Sequence, residues 1–363
     1  MNFDFSDDQR RLQDAAGRAL TARSTSKEVR RVLEGEAAYS AGTWRALAEL
    51  GALGIAIPEQ WGGSGLGYLE LCLVAEEAGR NLAAVPLLSS VYLAAEVLLR
   101  APRDQQRARL LPKIASGDAV ITAMIDPRGH RVPKDSPLRF EGGLLNGTAN
   151  AVPDGAVADA AVILVGDVLL LADLEASGVT RKVQALVDPT RPLAQLRFDS
   201  VPAEVLCSSG GAAIARRVLD GAAVLLAFEQ LGGADKALET ARLYALERRA
   251  FGRVIAGFQA VRHKLADMYV CNELARGHAY YGAWALASAA PELPKAAAAA
   301  RVAATTAYNF VAEEGMHLHG GIGATWEMDC HLHLRRSRWL GQIIGSEHFW
   351  RGRLTDALIE EAI

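Results

Sequence analysis

The sequence has few of the features that mark several large classes of protein. Its 363 residues include four cysteines: Cys72, Cys207, Cys271 and Cys330. They lie far apart and form no Cys-x-x-Cys spacing, so neither a disulfide framework nor a zinc ribbon is expected. The formal net charge of -3 gives no overall attraction to nucleic acid or to an anionic membrane. Partners of these two kinds are therefore not expected.

Long apolar runs are also missing. No uninterrupted run reaches the roughly 18 residues of a membrane-spanning helix, because Asp159, Asp167 and Asp173 interrupt the most hydrophobic region. The first residues, MNFDFSDD, are acidic and lack the basic and apolar segments of a signal peptide. We therefore expect a soluble cytoplasmic protein.

The length and the local patterns predict three packed units. A chain of 363 residues exceeds one typical core, and 50% hydrophobic residues supply ample core material. Helical patterns fill residues 1–122 and 209–363, whereas short apolar runs on either side of Gly166-Asp167 predict strands within residues 123–208. The predicted fold is mainly α, with a helical N-terminal domain, a small β domain and a C-terminal helical bundle.

One segment, residues 248–259 (RRAFGRVIAGFQ), joins two long helical patterns. It has three arginines within six residues, two glycines and a glutamine that opens the next helix. Such donors suit an anion, for example a pyrophosphate. The alternative is an exposed helix hairpin with one buried phenylalanine and solvated charges.

The order of residues around this segment resembles the signature of the acyl-CoA dehydrogenase family. The resemblance rests on residues 244–252 (YALERRAFG), residues 264–268 (KLADM) and residues 319–325 (HGGIGAT). It implies an N-terminal helical domain, a middle β-barrel-like domain and a C-terminal four-helix bundle. It also implies FAD, an electron-transfer acceptor, and α,β-desaturation of an acyl-CoA thioester.

The resemblance implies that part of the family's flavin site is kept. The matching residues would grip the adenine and pyrophosphate end of a neighbouring subunit's FAD, and they are Arg248, Phe251, Gln259, Gly320 and Gly321.

Three further positions of this kind carry substitutions. His317 stands where the family usually has Gln, and Ser346 and His348 stand where Thr and Gln are usual. All three keep hydrogen-bonding capacity.

The part of the site that contacts the flavin ring departs from the family. Residues 125–130 (IDPRGH) keep only the proline of a Thr-Glu-Pro and Gly-Ser segment. Ala151-Val152-Pro153 replaces a Trp-x-Thr segment that lies against the ring. Alanine offers no stacking surface, and proline has neither a hydroxyl nor an N–H group to donate.

The family's catalytic base is missing from both of its usual positions. The first glutamate position holds Ile344, and the second holds Ala222. Asp220 and Glu347 are nearby acids, but each would point in a different direction on its helix. We expect both to be solvated or capping carboxylates.

The retained and the missing family residues together predict that the chain is one half of a heteromeric enzyme. The chain resembles subunits of actinobacterial sterol side-chain acyl-CoA dehydrogenases, in which two related chains share composite flavin sites and one supplies the base. The implied assembly is an α2β2 hetero-oligomer with FAD at a subunit interface. Two alternatives stay open, a homo-oligomer that uses Glu347 or Asp220, and a flavin-free acyl-CoA binding or scaffold protein on the same fold.

The sequence also contains histidine pairs and a glycine-rich segment, which could suggest a metal site or a dinucleotide-binding site. Residues His317, His319, His331 and His333 form two His-x-His pairs, but side chains at i and i+2 of a helix point apart, so no metal site is expected. Gly320-Gly321-Ile322-Gly323 follows a predicted helix, whereas a dinucleotide fingerprint follows a strand.

The acyl group itself is not specified by the sequence. Small residues at 222, 223 and 227 would leave room for a bulky acid such as a steroid, or would serve close helix packing.

Overall fold

The computed structural model describes residues 5–125 and 138–362. Residues 126–130 of the altered Thr-Glu-Pro segment lie outside this part of the chain. The α-helices are α1 (Asp7–Arg23), α2 (Ser26–Leu33), α3 (Ala41–Glu49), α4 (Tyr68–Arg80), α5 (Ala95–Arg100), α6 (Asp104–Ala115), α7 (Gly211–Glu247), α8 (Gln259–Ala287), α9 (Leu293–His319), α10 (Cys330–Leu340) and α11 (Glu347–Ala362). The strands are β1 (Ile121–Met124), β2 (Leu138–Glu141), β3 (Leu144–Pro153), β4 (Ala160–Val165), β5 (Val168–Asp173), β6 (Val179–Val183), β7 (Leu193–Cys207), β8 (Arg249–Ala250) and β9 (Arg253–Val254).

The predicted fold class is confirmed, because helices precede and follow one central sheet in chain order. Seven strands form this sheet in the order β1-β4-β5-β7-β3-β2, and β6 also pairs with β7. The long strand β7 joins the two halves, since it pairs with β3 and β6 near Leu196 and with β5 near Val205. The apolar core of the sheet includes Leu145, Ile163 and Phe198.

Local sequence signals fix several of these elements. Ser6 caps α1 as predicted, because its hydroxyl accepts a hydrogen bond from the Gln9 amide while the Gln9 side chain accepts one from the Ser6 amide. The predicted hairpin at Gly166-Asp167 is confirmed, with Val165 opposite Val168 and Gly166 at φ 65°.

Asp167 also caps the helix that follows the sheet. Its carboxylate accepts hydrogen bonds from the amides of Gly210 at 2.6 Å and Ala212 at 2.9 Å. These two bonds lower the pKa of Asp167, and they satisfy amides at the start of α7 that have no partner inside the helix.

The chain forms two compact units. The first comprises the described residues of 1–26, 72–83 and 223–363, and the second comprises those of 27–71 and 84–222. The three domain boundaries stay a prediction.

In the first unit, α4 and α7 cross with their backbones in contact. A Cβ atom on Gly79 would lie 1.8 Å from the carbonyl oxygen of Glu229, and a Cβ on Gly232 would lie 1.8 Å from that of Glu76. Both positions therefore require glycine at this crossing.

The alanine-rich helices also pack closely. A Cβ on Gly282 of α8 would lie 3.2 Å from Val224 of α7 and 3.3 Å from Ala300 of α9. The side chains of Ala222, Ala223 and Ala227 are fully buried, as close helix packing predicts. The helix α9 begins at Leu293, and Pro294 fits its first turn, where no amide donor is needed.

Within the described part of the chain, no helix combines the length and the apolar character that a membrane crossing requires.

Candidate functional site

The segment between α7 and α8 is a miniature β-hairpin. Arg249 pairs with Val254 and Ala250 pairs with Arg253 in antiparallel register. The two residues between these strands, Phe251 and Gly252, have φ values of 49° and 80°, which is typical of a tight type I′ turn. This turn carries the Phe251 side chain outward.

Phe251 is not the buried phenylalanine of the helix-hairpin alternative, because its side chain is 95% exposed. It touches the edge of the Phe258 ring at a centroid distance of 6.3 Å, and the Arg253 guanidinium lies 4.0 Å above that ring. The tip of the hairpin therefore presents an aromatic ring and cations to the outside of the unit.

The hairpin and the start of α8 offer donors for an anion. Gln259 is exposed and is the first residue of α8, as predicted. Phe258 precedes it and no side chain caps the helix, so among the described residues its first amides keep open hydrogen-bonding capacity. Arg248 is exposed, and within residues 5–125 and 138–362 its guanidinium forms no hydrogen bond or ion pair.

The glycines at the end of α9 come to the same end of the first unit. The ring of His319, which precedes Gly320, stacks on Tyr244 of α7 at a centroid distance of 4.2 Å. The Tyr244 hydroxyl also donates to the His319 carbonyl at 3.4 Å. No described heavy atom lies within 4 Å of a Cβ placed on Gly320 or Gly321, so both glycines face open space.

His317 lies in the last turn of α9 and is exposed. Its Nδ1 is 3.6 Å from the Glu314 carboxylate, which also pairs with Lys264 of α8 at 3.2 Å. This polar side chain therefore belongs to the group of residues at the end of α9, together with the two glycines.

The first base position holds a strained residue. Ile344 has φ 54° and is only 9% exposed, and Gly345 follows at φ 112°. A β-branched residue in this left-handed region is an outlier that the surrounding structure must hold in place.

Glu347 forms an ion pair within α11 and a hydrogen bond to α9. Its carboxylate accepts from Arg351 at 2.5 and 2.8 Å and from the Thr306 hydroxyl at 3.2 Å. These contacts are those of an ion-paired carboxylate in the first turn of α11.

The second base position lies in the second unit. Ala222 is fully buried, and Asp220 is 3% exposed. Asp220 lies in the electrostatic field of Arg217, whose pKa is lowered by burial and by the neighbouring Arg100, while Asp220 opposes this shift. Arg100 is itself held by Glu96 at 3.1 Å. The prediction of a solvated or capping Asp220 is therefore wrong, because the side chain is buried within α7 beside Arg217.

The segment that replaces Trp-x-Thr is a bulge of β3. Ala151 has φ 54°, is exposed, and donates its amide to Gln184 at 3.1 Å. Pro153 is buried, and its carbonyl accepts from the Thr122 hydroxyl at 2.6 Å. The polar groups of this segment serve internal hydrogen bonds, and its side chains provide neither an aromatic face nor a hydroxyl.

Sequence reasoning overlooked Arg301 of α9, which is 1% exposed. It donates to Gln230 at 2.5 Å, to the Ile343 carbonyl at 3.1 Å and to the Leu340 carbonyl. Burial lowers its pKa to about 9, while the negative charge of Glu229 opposes this effect. A single cation within an alanine-rich run was the signal available in the sequence.

The four histidines do not converge on one ion. His333 is buried against the Tyr308 hydroxyl at 3.0 Å, and His331 stacks on Trp326 at 4.9 Å. Across residues 5–125 and 138–362, no group of three or more His, Cys, Asp or Glu side chains could hold a metal ion.

Two domain families match this sequence. Residues 6–118 match the N-terminal domain of acyl-CoA dehydrogenases, and residues 209–359 match their C-terminal domain. The acyl-CoA dehydrogenase IpdE2 of Mycobacterium tuberculosis is 33% identical over 342 residues, and the match covers 94% of each protein.

Two solved structures of acyl-CoA dehydrogenase type are also similar to this chain. The Tcur3481-Tcur3483 steroid ACAD superposes with a TM-score of 0.87 and 31% identity, covering 98% of this chain and 99% of the other. The ChsE4-ChsE5 complex of Mycobacterium tuberculosis superposes with a TM-score of 0.89 and 27% identity, covering 99% of each chain.

Proposed function

Because the chain belongs to the acyl-CoA dehydrogenase family, we propose that it contributes the adenine and pyrophosphate half of a shared FAD site to a related partner chain. As a family member it is an oxidoreductase that acts on acyl-CoA. The proposal states which parts of the active site each of two chains supplies. The two chains together would form a hetero-oligomer of α2β2 type.

The observation that carries the proposal is the unpaired donor set at one end of the first unit. With respect to the described residues, Arg248 has an open guanidinium, the start of α8 has uncapped amides, and Gly320 and Gly321 face open space. A pyrophosphate fits such a set, because its charge is matched by a cation and by a helix N-terminus. The exposed Phe251 adds an apolar surface beside it.

The residues at the flavin-ring and base positions do not fit a complete site. Ala151 and Pro153 offer no group that would stack on the ring or donate to it, and Ile344 and Ala222 cannot accept a proton. Glu347 is held by Arg351 and Thr306. We therefore assign ring contacts and proton abstraction to the partner chain.

The reaction requires two events at adjacent carbons. A carboxylate removes the α-proton of the acyl thioester, and the hydride from the β-carbon would pass to the flavin of a bound FAD. This chain's residues would bind the cofactor's anionic end and fix its position, while the partner's glutamate takes the proton. An electron-transfer acceptor would then take the two electrons from the reduced flavin, so that the next turnover can begin.

The size of the acyl group is a further element of the proposal. One similar structure is described as a steroid ACAD, and another is a complex of two chains. These likenesses support a bulky polycyclic acyl thioester as substrate. Turnover of steroid-type and straight-chain acyl-CoA thioesters by the reconstituted complex would distinguish the two substrate classes.

The proposal is tested by substituting Arg248 in the complex. The complex should lose most of its FAD on Arg248→Gln. Its far-ultraviolet circular dichroism should stay unchanged, because the exposed side chain has no partner in the part of the chain that the structure describes. Arg242→Gln, an exposed change on α7, the helix that ends just before Arg248, is the matched control and should leave FAD content unchanged. Equal FAD content in both variants would contradict the assignment of this hairpin.

A further inference from the structure

Arg301 occupies a position where a positive charge needs a specific reason. It lies in the middle of α9, and 1% of its side chain is exposed. A buried guanidinium loses its hydration, so it persists only with good hydrogen-bond acceptors and a compensating charge. Here Gln230 accepts at 2.5 Å, and Glu229 supplies negative charge.

The remaining acceptors of Arg301 are backbone carbonyls at one helix end. Leu340 is the last residue of α10, and Ile343 lies in the turn that follows it. Carbonyl groups at a helix C-terminus have no partner inside the helix and carry the negative end of its dipole. Nη2 of Arg301 donates to this helix-terminal carbonyl of Leu340 and also to the Ile343 carbonyl in the turn beyond it.

The residue after these two carbonyls is the strained one. Ile344 is held at φ 54°, and Gly345 at φ 112° has no room for a side chain, since a Cβ would lie 2.5 Å from the Phe349 ring. Ser346 then caps α11, because its hydroxyl accepts from the Phe349 amide at 3.4 Å. The conformation of residues 341–346 therefore decides where Ser346 and the first turn of α11 lie.

We propose that Arg301 is a positioning residue, which holds residues 341–346 so that Ser346 and His348 reach the shared FAD site. The inference rests on the proposed function, since that function assigns a cofactor to this end of the chain. Arg301 acts through the backbone and does not itself contact the cofactor. A residue that only filled core volume would be replaced without loss by an apolar side chain of similar length.

The test compares Arg301→Met, Arg301→Lys and Tyr308→Phe in the full chain co-purified with its partner. Methionine keeps most of the buried volume but removes every donor, whereas lysine keeps the charge with fewer, differently placed donors. Tyr308→Phe is the matched control, because it removes a hydrogen bond between α9 and α10 that does not involve residues 341–346. FAD affinity is measured by titration at a temperature at which circular dichroism shows every variant folded.

We expect Arg301→Met to weaken FAD binding at least tenfold, Arg301→Lys to recover part of this loss, and Tyr308→Phe to stay within about twofold of the wild type. Hydrogen exchange of the amides of residues 341–346 should rise in Arg301→Met and remain low in Tyr308→Phe. Wild-type FAD affinity or unchanged exchange in folded Arg301→Met would overturn the proposal.

If Arg301→Met does not fold, Arg301→Lys decides the question. Since one ammonium group cannot reproduce the fork that reaches Gln230 and both carbonyls, a loss of a few-fold in FAD affinity and faster local exchange are expected. Values equal to the wild type would overturn the proposal. A wild-type complex that binds no FAD would instead refute the proposed function, and this inference with it.

Discussion

Tyr244 stacks on His319 with ring centroids 4.2 Å apart, and this contact brings two motifs together that are 75 residues apart in the chain. Tyr244 lies one turn before Arg248, and His319 directly precedes Gly320. The hairpin and the paired glycines therefore share one structural support. The proposed site requires this common position, because a single anion would have to meet both.

The stacking contact predicts different results for two substitutions of Tyr244. Tyr244→Phe keeps the ring and loses only a long hydrogen bond of 3.4 Å, so FAD content of the complex should stay close to the wild type. Tyr244→Ala removes a contact worth about 0.5–1.5 kcal/mol, so FAD affinity should fall several-fold. Equal affinity in both variants, measured by titration, would show that the contact does not support the site.

The crossing of α4 and α7 predicts that Gly232→Ala destabilises the chain. The new methyl group would lie 1.8 Å from the Glu76 carbonyl oxygen, so the helices must separate. We expect a loss of about 1–3 kcal/mol or more in the free energy of unfolding.

Gly277→Ala is the control for this prediction, since no described atom lies within 4 Å of its Cβ position on α8. It should stabilise the chain by about 0.5–1 kcal/mol through helix propensity. Denaturant titrations of both variants provide the measurement. A Gly232→Ala chain as stable as the wild type would contradict the packing at the crossing.

His333 predicts a loss of stability in acid. Burial lowers its pKa to about 3, and the positive charge of Arg336 adds to this effect. An unfolded histidine titrates near pH 6.5, so between these values the unfolded chain binds a proton that the folded chain does not. The free energy of unfolding should therefore fall as the pH is lowered from about 6.5 to about 3, by up to several kcal/mol.

His333→Leu removes the titrating group and should flatten this part of the pH dependence. The comparison uses the slope of unfolding free energy against pH in each protein, so that other titrating groups cancel. Identical slopes in the two proteins would show that His333 does not titrate as its burial predicts.

The division of labour predicts that Glu347 is dispensable for proton abstraction. Its carboxylate is held by Arg351 and Thr306, so Glu347→Gln should retain acyl-CoA oxidation within about twofold in the complex. Substituting the partner's catalytic glutamate should abolish the reaction. A loss of about a hundredfold or more on Glu347→Gln, with normal FAD content, would instead assign the base to this chain.

Local signals in the sequence predicted much of the fold. Ser6 with Gln9 placed the start of α1, and Gly166-Asp167 placed the hairpin of β4 and β5, because caps and tight turns depend on neighbouring residues. The mainly helical class with a central sheet followed from periodicity and from the family resemblance.

The features that could not be predicted from the sequence depend on contacts between distant residues or on the geometry of a turn. Phe251 is exposed because a two-residue turn aims it outward, although its hydrophobicity favours burial. Arg301 is buried because Gln230 and Leu340, 71 and 39 residues away in the chain, supply its acceptors. No local pattern specifies that these partners will meet.

We propose that this chain binds one end of FAD in a site that a partner chain completes. The number of FAD molecules bound per protein chain tests this proposal. The chain is purified alone and together with its partner, and the flavin absorbance is divided by the protein concentration. We expect FAD in the co-purified complex and little in the chain alone. Stoichiometric FAD in the lone chain, together with oxidation of acyl-CoA, would contradict it.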